Sequence, residues 1–69
     1  MEFTLKDEYI ELCKLLKAAN IVMSGGEGKE VVAQGMVTVD GELELRKRCK
    51  IRAGQTVEFE GQTIEVVSA

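Results

Sequence analysis

Apolar residues recur every three or four positions in the first half of this chain and every two positions from Met36 onward. One core serving both halves must pack helices against a sheet. Tyr9, Leu12, Cys13 and Leu16 follow the i, i+3, i+4, i+7 spacing of a helix face, widened by Leu5, Leu15 and Ala19. Thr4 with Asp7 has the form of a capping box, and Asn20 suits the left-handed residue that ends a helix. The spacing predicts a first helix over 5–19. Ser24 with Glu27 completes a second capping box, opening a helix that carries Val31, Val32 and Ala33 and stops at Gly35.

The second half reads as hairpins. Val37 and Val39 alternate with Thr38, Asp40-Gly41 marks a two-residue turn, and Leu43 and Leu45 alternate with Glu42 and Glu44. After a polar stretch, Ala53-Gly54-Gln55 forms a turn, Val57 and Phe59 alternate with Glu58 and Glu60, and Ile64 and Val66 return beyond a Gly61-Gln62 turn. Glu2-Phe3-Thr4 offers a short edge strand. The expected fold is α+β: two N-terminal helices followed by a small antiparallel β-sheet, in one domain over residues 1–69.

What the chain lacks narrows its chemistry. It has no His, which removes the commonest general base and metal ligand. Cys13 and Cys49 are 36 positions apart and form no CxxC pair, and a zinc site built on Cys alone needs four. Free thiols are therefore expected, and no metal or cofactor. A 69-residue domain buries only about 60% of its unfolded surface, leaving little room for an enclosed substrate pocket. The expectation is a non-enzymatic binding module. No apolar run is long enough for a membrane span or a secretory signal, so the expected location is the cytoplasm. No pattern marks an extended hydrophobic interface, so a monomer is expected.

The net charge of −3 conceals a strong asymmetry. Residues 46–52 read Arg-Lys-Arg-Cys-Lys-Ile-Arg, five cations in seven positions, and the rest of the chain sets four lysines against twelve acids, a balance of −8. Clustered Arg and Lys neutralise phosphates and release condensed counterions, the main source of non-specific nucleic-acid affinity. The arginines add planar forks suited to phosphate and guanine edges. The acidic remainder confines a polyanion to one face. The plain alternative is a solvated connection whose cations pair with Glu42, Glu44, Glu58 and Glu60.

Ser24-Gly25-Gly26-Glu27-Gly28-Lys29 is the second anomaly, because each glycine inside a helix costs up to about 1 kcal/mol relative to Ala. It is not a nucleotide phosphate loop: Met23 stands where the first glycine belongs, and Glu30 follows Lys29 where Ser or Thr must hold magnesium. A glycine-rich helix start still lets a phosphate approach free N–H groups, with Lys29 one turn away. The competing explanation is that the glycines let the two helices pack closely. Lys14 and Lys17 read as solvated surface, Cys13 as core, and Glu58 and Glu60 as the solvent side of a strand; Tyr9 offers a ring for stacking on a base but at this spacing reads as core. Cations around Cys49 favour its thiolate, but no acid, base or second Cys stands beside it in sequence, and it reads as a passive thiol.

Two short helices, then Gly35-Met36-Val37-Thr38-Val39-Asp40-Gly41, then a basic stretch and Ala53-Gly54-Gln55-Thr56-Val57, together resemble the S-four RNA-binding domain, named for a small-ribosomal-subunit protein and built on the alpha-L motif. The resemblance spans roughly residues 8 to 60. Ser24-Gly25-Gly26 with Lys29, and Arg46-Lys47-Arg48-Cys49-Lys50-Ile51, are similar to the small free-standing bacterial members of the YbcJ type. Three features depart from the family pattern. Tyr9-Ile10-Glu11-Leu12 stands in place of an Arg-Leu pair, glycines stand where many members carry Arg after Ser24, and Asp40 replaces the more frequent Asn of the hairpin turn. The resemblance implies binding of structured RNA, ribosomal RNA above all, and ribosome association. By position it implies contacts from Ser24, Gly25, Gly26, Lys29, Arg46, Lys47, Arg48, Lys50 and Arg52. The rival reading is a protein-interaction module that docks its basic loop on an acidic partner.

Overall fold

The computed structural model describes residues 1–69. Seven strands and two helices run in the order β1 (Glu2–Leu5), β2 (Ile10–Glu11), α1 (Leu12–Ala18), α2 (Gly25–Ala33), β3 (Val37–Val39), β4 (Glu42–Leu43), β5 (Lys50–Ile51), β6 (Thr56–Phe59) and β7 (Gln62–Ser68). Five strands form one sheet in the order β1-β7-β6-β3-β4, and β2 pairs with β5 in a separate antiparallel ribbon. The α+β class holds. The sheet, however, is mixed, because β1 runs parallel to β7. Strands also precede the helices.

The first helix is shorter than its periodicity predicts, seven residues instead of fifteen. Residues 2–5 are drawn into the sheet against β7, and Thr4 lies opposite Val67 instead of capping a helix. Leu5 is buried as a strand residue, and Ile10 and Glu11 pair with Ile51 and Lys50. An apolar residue every three or four positions is also satisfied by two short strands flanking a helix, and long-range pairing settles which form wins.

Helix ends follow the local signals. Ser24 Oγ accepts from the Glu27 N–H at 3.1 Å, and Glu27 Oε1 reaches back to accept from the Met23 N–H at 2.7 Å. At the end of α2 the N–H of Gly35 donates to Val32 and that of Met36 to Val31, a 5→2 and 6→1 pair closed by a left-handed Gly35 at φ 76°. Asn20, at φ 60°, closes α1 with the same pattern onto Lys17 and Leu16.

The Asp40-Gly41 turn has both central residues at positive φ (52° and 84°), as a two-residue hairpin requires. It sets Val39 opposite Glu42 and Thr38 opposite Leu43. Val37 and Val39 face the core, so Leu43 is forced onto the opposite side with Thr38. Leu43 and Leu45 are 59% and 56% exposed, contrary to the inward alternation predicted for them. The second tight turn is centred one residue earlier than predicted, on Glu60 and Gly61.

One core of fifteen buried residues joins Leu12, Leu15 and Leu16 of α1 and Val31 and Val32 of α2 to Val37, Val57, Phe59, Ile64 and Val66 of the sheet and Ile51 of the ribbon. Gly28 sets the helix–helix distance. A Cβ there would lie 2.8 Å from the Cys13 carbonyl oxygen, a backbone atom that cannot swing aside. Gly25 has nothing within 4 Å of an added Cβ, and Gly26 meets only Ser24 Oγ at 3.8 Å. Close packing therefore explains one glycine of the three. Gly28→Ala is expected to cost about 1–3 kcal/mol, as overpacking does. At roughly 4–8 °C per kcal/mol, a thermal melt reads this directly. Gly25→Ala and Gly26→Ala are expected to leave stability unchanged or to raise it by up to about 1 kcal/mol.

Candidate nucleic-acid interface

Helix α1 begins without a side-chain cap: Glu11, its N-cap residue, makes no such hydrogen bond. Its first N–H groups are satisfied by the basic segment instead. Leu12 donates to the Cys49 carbonyl at 2.9 Å and Cys13 to the Lys47 carbonyl at 3.1 Å. With the β2–β5 ribbon, these bonds fasten residues 47–51 along the start of α1. Ile51 is fully buried and Cys49 half-buried, while Arg46, Lys47, Arg48, Lys50 and Arg52 remain exposed.

That attachment brings the two sequence anomalies together. An open groove of about 360 Å³ is lined by Glu11, Cys13, Lys14, Gly25, Gly26, Lys29 and Arg48. Lys14, read from the sequence as plain solvated surface, lies in the same groove. Gly25 and Gly26 leave the backbone of the α2 start uncovered, where the helix presents free N–H groups and a partial positive charge. Ser24 stands at the head of that helix, its hydroxyl engaged by Glu27. A second depression, of about 410 Å³, is lined by Arg46, Arg48, Cys49 and Lys50. Arg48 belongs to both.

The five cations of residues 46–52 are not equivalent. Arg46 is clamped by Glu44: Nε lies 2.9 Å from Oε2, Nη2 lies 3.1 Å from Oε1, and the Arg46 backbone N–H donates to Oε2 at 2.9 Å. These charged donors hold the Glu44 carboxyl at about 2, well below its ordinary 4.5. The only other ion pair in the chain is Lys14 with Glu11, at 3.7 Å. Lys29, Lys47, Arg48, Lys50 and Arg52 have no carboxylate partner. Of the plain alternative, in which the cations pair with Glu42, Glu44, Glu58 and Glu60, only the Glu44 pair forms.

Two expectations change here. Cys49 is not activated by its cationic neighbours: burial first, and the adjacent Glu44 second, push its thiol above the ordinary range. Arg46 spends its charge on Glu44. Tyr9 is also not core. The residue is 37% exposed, with Lys50 Nζ 4.9 Å and Arg52 Cζ 5.8 Å from its ring centroid. The helical spacing that marked Tyr9 as buried does not extend to it, and only the pairing of β2 with β5 reveals its position.

Three acids border this face, Glu11 in the groove and Asp7 and Glu8 beside Tyr9, and others lie on the sheet. Glu2, Glu58 and Glu65 are exposed on the sheet face opposite the core, as their register with Thr63, Thr38 and Thr56 requires. No helix is long and apolar enough to cross a membrane, and no group of three or more acidic or Cys side chains is placed to hold a metal ion.

The model of the S4 domain, the S-four family, matches residues 3–67. The chain belongs to the S4 domain family. "Putative RNA-binding protein YbcJ" of Escherichia coli (strain K12) is 51% identical over 63 residues, 91% of this chain and 90% of that protein. "Probable ribosome maturation protein RlbA" of Bacillus subtilis (strain 168) is 34% identical over 58 residues, covering 84% of this chain and 82% of its own. The solution structure of E. coli YbcJ, described as revealing an alpha-L motif involved in RNA binding, matches this S4 domain with a TM-score of 0.75. That match covers 96% of this chain and 85% of YbcJ, at 51% identity. The 30S ribosomal protein S4e of Thermoplasma acidophilum shares the fold, with a TM-score of 0.69 at 22% identity over 84% of this chain and 31% of that one. The expectation of a small S4 domain of the YbcJ type is borne out.

A carboxyl whose folded-state value is depressed adds stability that is fully present above its ordinary 4.5 and is lost as pH falls through about 2. In a carboxyl-carbon NMR titration, Glu44 is expected to show a midpoint near 2, and Arg46→Gln to return it toward 4.5. A wild-type midpoint near 4.5 would mean that the clamp does not form in solution.

Proposed function

We propose that this S4 domain is a cytoplasmic, monomeric, non-enzymatic RNA-binding protein, a single domain over residues 1–69 whose ligand is a structured RNA, ribosomal RNA above all. One observation carries the reading. The fold seats Arg48, one of the unpaired cations of residues 47–52, beside the uncovered backbone of the α2 start, so that it borders one groove with Lys14, Lys29, Gly25 and Gly26. The RNA-binding motif named for YbcJ and the ribosome-maturation name of RlbA support the same ligand class and association with the ribosome.

The mechanism is electrostatic and shape-based. Lys47, Arg48, Lys50 and Arg52 neutralise phosphates, while Ser24, Gly25 and Gly26 let a phosphate approach the N–H groups of α2 with Lys29 one turn in. Arg46, neutralised by Glu44, contributes less charge than its neighbours and shapes the loop. The glutamates of the outer sheet face repel RNA from the far side and orient the encounter. A-form helices hide their base edges in a deep groove, so a folded or looped RNA suits this face better than a regular duplex.

Charge reversal of Lys47, Arg48 and Arg52 to Glu is expected to abolish binding of a structured small-subunit ribosomal RNA fragment and to leave the fold intact, because these side chains are exposed and the backbone of the segment does the structural bonding. Arg46 and Lys50 are left alone, since Glu in their places would face Glu44 and Glu11. Binding measured by amide-shift titration should gather its shifts at residues 24–29 and 46–52. For three to five neutralised phosphates, log affinity should fall against log salt with a slope of about −2 to −4. Salt-independent binding would defeat the phosphate mechanism. Failure to bind RNA, with capture of an acidic protein competing for the same residues, would favour the protein-docking reading.

A further inference from the structure

Tyr9 lies outside the α2 groove, yet it is joined to the basic segment by two contacts. It immediately precedes β2, and the Ile10↔Ile51 and Glu11↔Lys50 register carries it opposite Arg52. Ile51 points inward and is fully buried, so Lys50 and Arg52, on either side of it, emerge on the outer face of the ribbon. Lys50 Nζ stands 4.9 Å from the Tyr9 ring centroid and Arg52 Cζ 5.8 Å, both within the range of cation–π attraction. Neither cation has a carboxylate partner: Glu11, directly across from Lys50, is paired with Lys14.

Two like charges gathered on one ring repel each other, and the long flexible side chains that carry them would otherwise splay into water. The ring's negative face offsets that repulsion and reduces the number of conformations each side chain samples. The charged ends remain exposed and have no carboxylate within ion-pair distance, although Asp7 and Glu8 line the depression beside Tyr9, so the pair is open to an external anion. The site is continuous with the groove at α2. Tyr9, Glu11 and Lys14 line one depression, Glu11, Lys14 and Arg48 the next, and Arg48 and Lys50 a third.

We infer that Tyr9 is a positioning residue for RNA binding: its ring pre-orders Lys50 and Arg52 as a paired phosphate clamp, extending the RNA footprint from the α2 groove across the β2–β5 ribbon. This rests on the RNA-binding reading above. Tyr9 acts through the two cations, with both their charges directed at the RNA backbone.

The test is a set of affinities for the same structured ribosomal RNA fragment at low salt. Tyr9→Leu is expected to weaken binding roughly three- to tenfold, the range of one or two exposed cation–π contacts. Tyr9→Phe, which keeps the ring, should stay within about twofold of wild type. In a Lys50→Gln, Arg52→Gln background, Tyr9→Leu should cause no further loss, because the cations it orders are gone. An equal loss in both backgrounds would overturn the inference in favour of direct stacking on a base. A loss in Tyr9→Phe matching that in Tyr9→Leu, or none in either, would also overturn it. Should Tyr9→Leu fail to fold, the wild-type spectrum decides: side-chain protons of Lys50 and Arg52 displaced upfield by the ring support the inference, and undisplaced ones overturn it. A wild-type protein that binds RNA while Tyr9 is indifferent sinks this inference alone. A wild-type protein that binds no RNA sinks both readings.

Discussion

Two hydrogen bonds join the most charged segment of the chain to its most buried helix. The N–H groups of Leu12 and Cys13, orphaned at the start of α1, are taken by the carbonyls of Cys49 and Lys47. An uncapped helix start is costly to leave unpaired, and α1 has only seven residues over which to recover that cost. The basic segment therefore serves as a cap, and its backbone is placed as firmly as a strand. Apart from Arg46, which bonds Glu44 and Cys49, its cationic side chains make no hydrogen bond or ion pair within the protein. A rigid backbone bearing free cations is a different object from the flexible charged loop that the same seven residues would form alone.

The second dependence is on Gly28. Its missing Cβ lets α2 come close to the Cys13 carbonyl, and Cys13 is also the residue whose N–H is bonded to Lys47. Helix packing, the cap of α1 and the position of the basic segment thus meet at one residue. The start of α2 comes to lie beside Arg48 for that reason. Any side chain at position 28 would push the α2 groove away from the cations that border it.

Charge is distributed to match. Glutamates occupy the outer sheet face, unpaired cations lie on the ribbon and groove beside Glu11, which pairs with Lys14, and the one strong ion pair neutralises Arg46 at the margin of the basic segment. Glu44, two residues before Arg46, bonds both the guanidinium and the backbone N–H of that residue. Dense sequence charge overstates the free charge by that one arginine.

Local signals were legible before folding wherever a few adjacent residues decide the outcome. The Ser24–Glu27 box, the left-handed Asn20 and Gly35, the Asp40-Gly41 hairpin and the asymmetry of the basic segment all survive unchanged, because each depends on sterics or bonding within a turn. Pairing over long range was not legible. The parallel β1–β7 contact, the β2–β5 ribbon, the outward turn of Leu43 and the exposure of Tyr9 all depend on which distant backbone groups are free to bond. Of the candidate site, the sequence by itself determined which residues carry the charge and which glycines are anomalous. Only the tertiary structure decided that they share a groove, that Gly28 belongs to packing while Gly25 and Gly26 do not, and that Arg46 is already paired. Charge is a property of each residue, whereas proximity follows from the hydrogen bonds and core contacts of the whole chain.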